Sequence, residues 1–598
     1  MTPEAFRAEL QASLALLNAG RAAEAKPRIE ALIAARPDQP DPYTLLGLAL
    51  DQLGDSLAGA QQVRRAIGIN PWQPQYGLQL ARMIAPSDPA GAETALRAAI
   101  EKAPGFTPGV VALCDLLIAQ GRAEAALKVT AARLSSAGIP DLQAHARVLK
   151  ALDWHAEAVE VNRRIVAKSG GAGGARHNLA AALSDAGEAA KAAEEARAAM
   201  KLGQDGPETW LVLGRALEGQ QRYDEAQDAY REAIRRKPDF ADAHADLSQL
   251  IWMRTGDAAL AGQTLVEAAG PGRGLLAIQR SKILEFAGDA EGALAVLREA
   301  LGKDGGDVLL LCAAAHAAGT IDPGAAMDWA RAAAKAAPRD RFVLTALCEA
   351  QLANGEAGAA AETARALVAG DPRDQLALAL QATAWRLAGD PRAQTLNDYS
   401  LVRTYNLEPP PSWDSLSAFL TELEYVLSPL HGLPFHPVGQ SLRQGSQTTT
   451  ELRRLPAPAV KAFFEAIAGP IGEHLAWLGR GDDPVRSRNT GAFRFAGTWS
   501  VRLRPAGFHA DHVHPRGWLS SAFYVDVPGA VETGRQGWLK LGEPGMPTQP
   551  ALGPEHFVQP QPGLLVLFPS YLWHGTVPFE GDKTRLSIAF DLVPDGGF

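Results

Sequence analysis

TWLVLGRALEGQQRYDEAQDAYREAIRRKPDF, residues 209 to 240, sets Trp210, Leu213, Gly214, Ala226, Tyr230, Ala233 and Pro238 at the offsets that a helix-turn-helix unit requires. Small Gly214 and Ala226 let two helices approach closely, Trp210 and Tyr230 fill the seam, and Pro238 stops the second helix. The register recurs outward from this stretch. Tyr43, Leu46, Gly47, Ala66 and Pro71 keep the same offsets, Ala99 and Pro104 follow one period later, and Pro338 and Pro372 stand 34 residues apart. One such unit cannot bury its apolar face alone, so about eleven units are expected to stack over residues 1 to 395 as an all-α superhelical solenoid with a concave inner face.

This pattern resembles the tetratricopeptide repeat. The glycine cluster SGGAGGAR, 169 to 176, lacks a preceding strand and a Gly-Lys-Ser/Thr ending, so it reads as a loop between repeats and not as a phosphate loop. His145, His155, His177, His244 and His316 are scattered over the helical region and read as surface or packed residues.

The 598 residues exceed what one compact core holds. A formal charge of −9, from 58 Lys+Arg against 67 Asp+Glu, offers no broad basic face, which argues against a nucleic-acid partner. Cys114, Cys312 and Cys348 are too far apart for a disulfide framework or a zinc motif and fit a reducing compartment. The first residues carry Glu4 and Glu9 without a long apolar core, and no stretch reaches about eighteen uninterrupted apolar residues. A soluble, cytoplasmic protein without membrane contact is expected.

Composition changes near residue 396. A proline break at Pro409 to Pro411 precedes an amphipathic helix, a polar turn-rich stretch and a second helix over 456 to 479, so 396 to 490 reads as a linker and helical support segment. From Gly491 the texture is β. GAFRFAGTWSVRLRPAG, GWLSSAFYVDVP, GWLKLGE, GLLVLFP and TRLSIAFDLVP are short aromatic and branched runs bounded by Gly and Pro, which predicts a jelly-roll (double-stranded β-helix) barrel core over 491 to 598 with helices outside it.

Five of the thirteen histidines lie in the last ninety residues, three of them with an aspartate in FHADHVHP, 508 to 515. In TRLSIAFDL, alternation puts Arg585, Ser587, Ala589 and Asp591 on one face and Leu586, Ile588, Phe590 and Leu592 on the other. His556 reads as a surface residue, and Trp573 and Tyr524 as pocket wall or core. Arg502 and Arg504 fit either the barrel mouth or a solvated edge.

The order of these elements is similar to that of the Fe(II)/2-oxoglutarate-dependent dioxygenases, in particular a bacterial and phage group. Its pattern reads here as Gly507, His512-Val-His514-Pro515, SSAFYV at 520 to 525 and FPSYLWH at 568 to 574, with QSLRQGSQT at 440 to 448 as the lead-in segment. The resemblance covers residues 396 to 598. It implies His574 as the distal iron ligand, and Arg585 with Ser587 on the far carboxylate of 2-oxoglutarate, a task that suits the planar fork of arginine.

The proximal ligands stay open. His512 and His514 match the group's motif and its distance from Gly507, giving a three-histidine set. His509 and Asp511 satisfy the usual pairing of two His with one carboxylate. The two pairs have opposite parity in an extended segment, so only one is expected to face the lumen. Zinc is the alternative metal for three histidines, though it leaves Arg585 and Ser587 without a task.

The resemblance implies a dioxygenase that uses Fe(II) and 2-oxoglutarate to hydroxylate a carbon, with succinate and CO2 released. A concave solenoid on the same chain suits an extended peptide or protein segment, so peptidyl hydroxylation is the expected reaction. A non-catalytic interaction scaffold with a degenerate barrel, or a hydroxylase of a free small molecule, are the alternatives.

Overall fold

The computed structural model describes residues 1–135, 137–266, 273–448 and 451–595. The chain forms two compact units, Met1–Gln204 and Asp205–Phe598.

The first unit consists of paired helices, beginning with Pro3–Asn18 and ending with Ala189–Lys201. Proline starts several of them at a position where its missing N–H costs nothing, as at Pro40 and Pro74. Gly47 shows why the small positions matter: a Cβ there would sit 2.6 Å from Val63 Cγ2 and 2.9 Å from the Gly59 carbonyl. Tyr43, Leu46 and Ala66 are buried along the same seam.

In the second unit helical pairing continues from Pro207–Gly219 to Ala393–Leu396. A Cβ on Gly214 would strike the Tyr230 ring, while Ala226, Tyr230 and Ala233 are fully buried against it. The Tyr230 hydroxyl donates to Glu218 at 2.7 Å, and Trp210 Nε1 donates to Asp205 at 2.8 Å. The helix Tyr223–Arg236 ends two residues before Pro238.

The region after Leu396 is built from antiparallel strands and helices. The strands are β1 (Arg403–Asn406), β2 (Leu442–Gln447), β3 (Phe493–His509), β4 (Leu519–Asp526), β5 (Leu539–Leu541), β6 (His556–Val558), β7 (Leu564–Pro569), β8 (His574–Thr576) and β9 (Arg585–Pro594). One sheet has six strands in the order β1-β7-β4-β9-β3-β2, the other three in the order β6-β5-β8. The five runs expected as strands contain β4, β5, β7 and β9 and all of β3 except its last two residues. β1, β2, β6 and β8 lie in stretches too short or too polar to show the two-residue period.

Helices Leu416–Leu427, Pro458–Ala466 and Ala468–Leu478 pack on the six-stranded sheet. The single helix expected over 456 to 479 is thus divided at Ile467, and Pro470 falls in the first turn of the second piece, where proline is tolerated. Leu586, Ile588, Phe590 and Leu592 of β9 enter this core, as alternation predicts.

The repeats of this unit hold the strand region along one edge. Met253, Phe286, Gly319, Leu352 and Arg386, each 33 or 34 residues after the last, lie at or near the ends of alternate helices. They meet Phe435, His436, Pro547, Gln549 and Gly542 in that order. Phe435 N–H donates to Met253 O at 3.1 Å and Gln549 N–H to Leu352 O at 3.1 Å. Phe286 lies 5.3 Å from the His436 ring, Pro547 Cγ would be 3.3 Å from a Cβ on Gly319, and Arg386 donates to Gly542 O at 2.6 Å.

The strap Leu433–Pro437 is the most deeply engaged of these contacts. Trp252 Nε1 donates to His436 O at 3.0 Å, and the Phe435 ring occupies the space that Gly256 leaves by lacking a side chain. His436 is 4% exposed and neither ring nitrogen has a hydrogen-bond partner. Burial, with Arg443 and Arg504 nearby, pushes its pKa down to about 4.

Trp252→Ala is expected to destabilise this unit by about 3 to 5 kcal/mol in urea unfolding, the cost of emptying a large buried site, whereas Leu57→Ser, at an exposed position of the first unit, is expected to change stability by less than about 0.5 kcal/mol. His436 is neutral when folded and takes up a proton below about pH 6.5 when unfolded, so its contribution is intact above that pH and declines as pH falls toward 4. His436→Leu is expected to remove one proton from the uptake that accompanies unfolding between pH 6.5 and 4, measured from the slope of stability against pH.

Candidate metal centre

The site begins with a backbone pairing. His512 N–H donates to His574 O and His574 N–H to His512 O, both at 3.0 Å, an isolated antiparallel bridge outside the main ladders. Residues paired in this way carry their side chains on one side, and the two imidazole centroids are 4.2 Å apart. His514 N–H is tied to Ser570 O at 3.1 Å, which brings the third ring to 5.1 Å from each of the other two.

Each of the three imidazoles is fixed from behind through Nδ1. His512 Nδ1 donates to Ala510 O at 2.9 Å and His574 Nδ1 to Leu572 O at 2.9 Å. His514 Nδ1 lies 2.6 Å from both carboxylate oxygens of Asp591. With Nδ1 committed, the free Nε2 atoms converge: those of His512 and His514 are 3.1 Å apart, and one nitrogen from each of the three rings lies within 4.8 Å of the others. Among the described residues this is the group of three or more metal-ligating side chains so placed, and neutral imidazoles held through the opposite nitrogen are ready metal donors.

Burial, followed by the proximity of the other histidines, lowers the pKa of His512 to about 3 and that of His574 well below its ordinary value. The rings of His512 and His574 therefore offer lone pairs across the neutral pH range. Phe568 stands edge-on over His574 at 4.7 Å, an apolar wall against water.

The second candidate pair is placed differently. Asp511 turns to Lys540, whose Nζ lies 2.7 Å from its Oδ2 and also pairs with Glu543. Burial raises the Asp511 carboxyl to about pH 6, partly offset by Lys540. His509 sends Nδ1 to Ser441 Oγ at 2.9 Å, and its ring lies nearly parallel to that of His512, with centroids 5.9 Å apart. Parity alone would have turned His509 away from His512. It does not, because β3 ends at His509 and the chain is no longer extended between the two.

Arg585 and Ser587 are both buried on β9, facing inward with Asp591. Arg585 is 3% exposed; Nη1 donates to Gly537 O at 2.8 Å, Nη2 to Thr576 Oγ1 at 3.3 Å, and Nε has no partner. No carboxylate among the described residues pairs with it. A buried guanidinium in that state has the chemistry of a receptor for an anion that the protein itself does not supply. The Tyr524 ring lies 5.6 Å from its guanidinium carbon.

Several placements were hidden from the sequence. Alternation puts Asp591 on one face with Arg585 and Ser587, but its pairing with His514 has no local signal, and Ser520, which donates to Asp591 at 2.8 Å, has none either. Lys540, in GWLKLGE, carries no local signal of its role. Trp573 is buried and donates to Thr383 at 2.9 Å, joining the triad's last strand to a repeat helix. Arg502 is bonded to Ser428 and Arg504 lies over Phe435, so both face neighbouring protein. His556 is half-buried on β6 and stacks on Tyr399 at 5.6 Å, which corrects its reading as a surface residue.

Comparison with known families agrees with this geometry. Residues 497–591 match the family model described as "Putative 2OG-Fe(II) oxygenase", and residues 10–74, 175–241 and 211–283 match that of the tetratricopeptide repeat. The chain thus carries tetratricopeptide repeats together with a domain of the 2OG-Fe(II) oxygenase family. Comparison with curated proteins finds no match. Among solved structures, the yeast Tom70 crystal structure aligns at 13% identity over 67% of this chain and 92% of that chain, with a TM-score of 0.36. A tetratricopeptide repeat protein from Parabacteroides merdae aligns at 12% identity over 42% of this chain and 99% of that chain, with a TM-score of 0.33.

Asp591→Ala is expected to weaken Fe(II) binding by roughly 10- to 100-fold, because it frees the His514 ring, whereas Asp511→Asn is expected to leave affinity within about threefold. Anaerobic equilibrium dialysis against Fe(II) measures both.

Proposed function

We propose that this protein is an Fe(II)- and 2-oxoglutarate-dependent dioxygenase that hydroxylates a side chain of a peptide or protein recruited by its helical repeats. The observation that carries the reading is Arg585: a buried guanidinium with an unpartnered Nε and, among the described residues, no carboxylate partner, on the same inner face as Ser587 and as Asp591, which holds His514. A metal site alone leaves such a charge unexplained, and a dicarboxylate cosubstrate explains it.

In this reading His512, His514 and His574 hold Fe(II), and the Arg585 fork with the Ser587 hydroxyl takes the far carboxylate of 2-oxoglutarate. Bound iron and 2-oxoglutarate together supply dioxygen activation, with succinate and CO2 as coproducts. The chain's own residues provide position and dryness. Asp591 keeps the His514 ring aimed, Phe568 shields His574, and the burial of Arg585 strengthens its pairing with an anion by removing competing water.

Residues 1–395 serve as the repeat array, 396–490 as the support segment and 491–598 as a jelly-roll catalytic core. An array of paired helices suits an extended polypeptide better than a small metabolite, so its concave surface is assigned to substrate. The free cysteines fit a reducing, cytoplasmic setting, and among the described residues no helix is long and apolar enough to cross a membrane.

The donor set supports a second reading. Non-heme Fe(II) oxygenases usually include a carboxylate ligand, and here the nearest one in sequence, Asp511, is held by Lys540. That favours an altered iron site in a protein that acts as an interaction scaffold. Turnover separates the two readings. Fe(II)-loaded protein with 2-oxoglutarate in air, supplied with proteins from a lysate as candidate substrate, is expected to release succinate. His574→Ala should abolish release, and Arg585→Ala should raise the 2-oxoglutarate requirement by roughly 30-fold or more. Release unaffected by both substitutions would contradict the dioxygenase assignment, and cosubstrate binding without release favours the scaffold.

A further inference from the structure

His509 is the histidine of FHADHVHP that the triad leaves over, and three observations place it on the cosubstrate side of the site. First, cross-strand partners share a face: Val501 pairs with Ser587, Leu503 with Arg585, and Leu442 with His509. Leu442, Val501 and Leu503 close into one buried cluster with Phe579, so His509 lies on the inner face that carries Arg585 and Ser587. Second, its ring lies nearly parallel to that of the triad's His512, at 23° and 5.9 Å. Third, Nδ1 is engaged by Ser441 Oγ at 2.9 Å, which leaves Nε2 as the nitrogen free to act.

Ser441 is itself held in place. Its carbonyl accepts from Ala510 N–H at 2.8 Å, and five residues before it the strap is anchored on Trp252 and Phe286 of the repeats. The helical array thus fixes the wall that fixes His509.

We propose that His509 binds 2-oxoglutarate and does not ligate the metal: the Ser441 hydroxyl donates to Nδ1, and Nε2–H donates to a carboxylate oxygen of the cosubstrate, completing the anion site begun by Arg585 and Ser587. A neutral imidazole used in this way adds a donor without adding charge beside the metal. The proposal rests on the dioxygenase reading, and its test separates the two.

Fe(II)-loaded protein is titrated anaerobically with 2-oxoglutarate, following the visible charge-transfer absorption of the chelate, and iron content is measured in parallel. His509→Ala is expected to retain iron and to raise the 2-oxoglutarate Kd roughly tenfold, the loss of one hydrogen bond to a charged acceptor. His509→Gln, which keeps an N–H donor on a side chain of similar reach, should recover most of that loss, and Ser441→Ala should raise Kd about threefold by releasing the ring. Loss of iron from His509→Ala overturns the proposal in favour of a ligand role, and an unchanged Kd overturns it in favour of a bystander. If the wild type binds no 2-oxoglutarate, the dioxygenase reading fails and this proposal with it; if Arg585→Ala abolishes binding while His509→Ala does not alter it, the proposal alone fails.

Discussion

Two backbone hydrogen bonds, exchanged between His512 and His574, govern the geometry of the site. These residues are 62 apart in sequence, one three residues past the end of a long strand and the other opening a strand of three. Without the pairing nothing local would hold their rings 4.2 Å apart, because buried imidazoles desolvate unfavourably and repel when protonated. The backbone bridge makes that proximity the default, and the three Nδ1 acceptors then determine which nitrogen faces the centre. In the proposed reading, metal binding follows from main-chain pairing and tautomer choice.

The same economy applies to charge. In the proposed ligand set three neutral donors would bring no negative charge to a divalent ion, so compensation would come from outside the set, through Asp591 behind His514. Asp511 would serve the ion directly if it were free, but Lys540, which also pairs with Glu543, holds it in a separate ion-pair cluster. The buried Arg585 is the counterweight on the opposite side, a positive group that calls for an anion from solution. The two halves of the site, one short of negative charge and one with positive charge unpaired, are both suited by a chelating dicarboxylate.

The helical half of the fold was legible because its rule is repetitive. Gly214 and Ala233 recur at Gly47 and Ala66, and each keeps a small side chain where helices meet. The inward set on β9 was legible for a similar reason, since a strand's period assigns Arg585, Ser587 and Asp591 together. What remained hidden depends on pairing between distant segments. Strand β2 lies in a polar stretch, the strap at Leu433–Pro437 has no periodic signature, and the choice between Asp511 and His514 turns on Lys540, a residue whose relevance exists only in three dimensions. The parity rule misplaced His509 because it assumes an extended chain, and extension stops there.

The edge contacts at Met253, Phe286, Gly319, Leu352 and Arg386 give the fusion a physical reason: the repeats of the second unit brace the strand region at their own period, and through the strap they reach the wall of the site. The central claim is that three imidazoles, without a protein carboxylate, form the metal's protein ligand set. X-ray absorption fine structure at the iron edge, recorded anaerobically on the Fe(II)-loaded protein, tests it most directly. Multiple scattering that requires three imidazoles, unchanged in Asp511→Asn, is the predicted result. A fit that requires two imidazoles and a carboxylate, with the carboxylate contribution lost in Asp511→Asn, would contradict it.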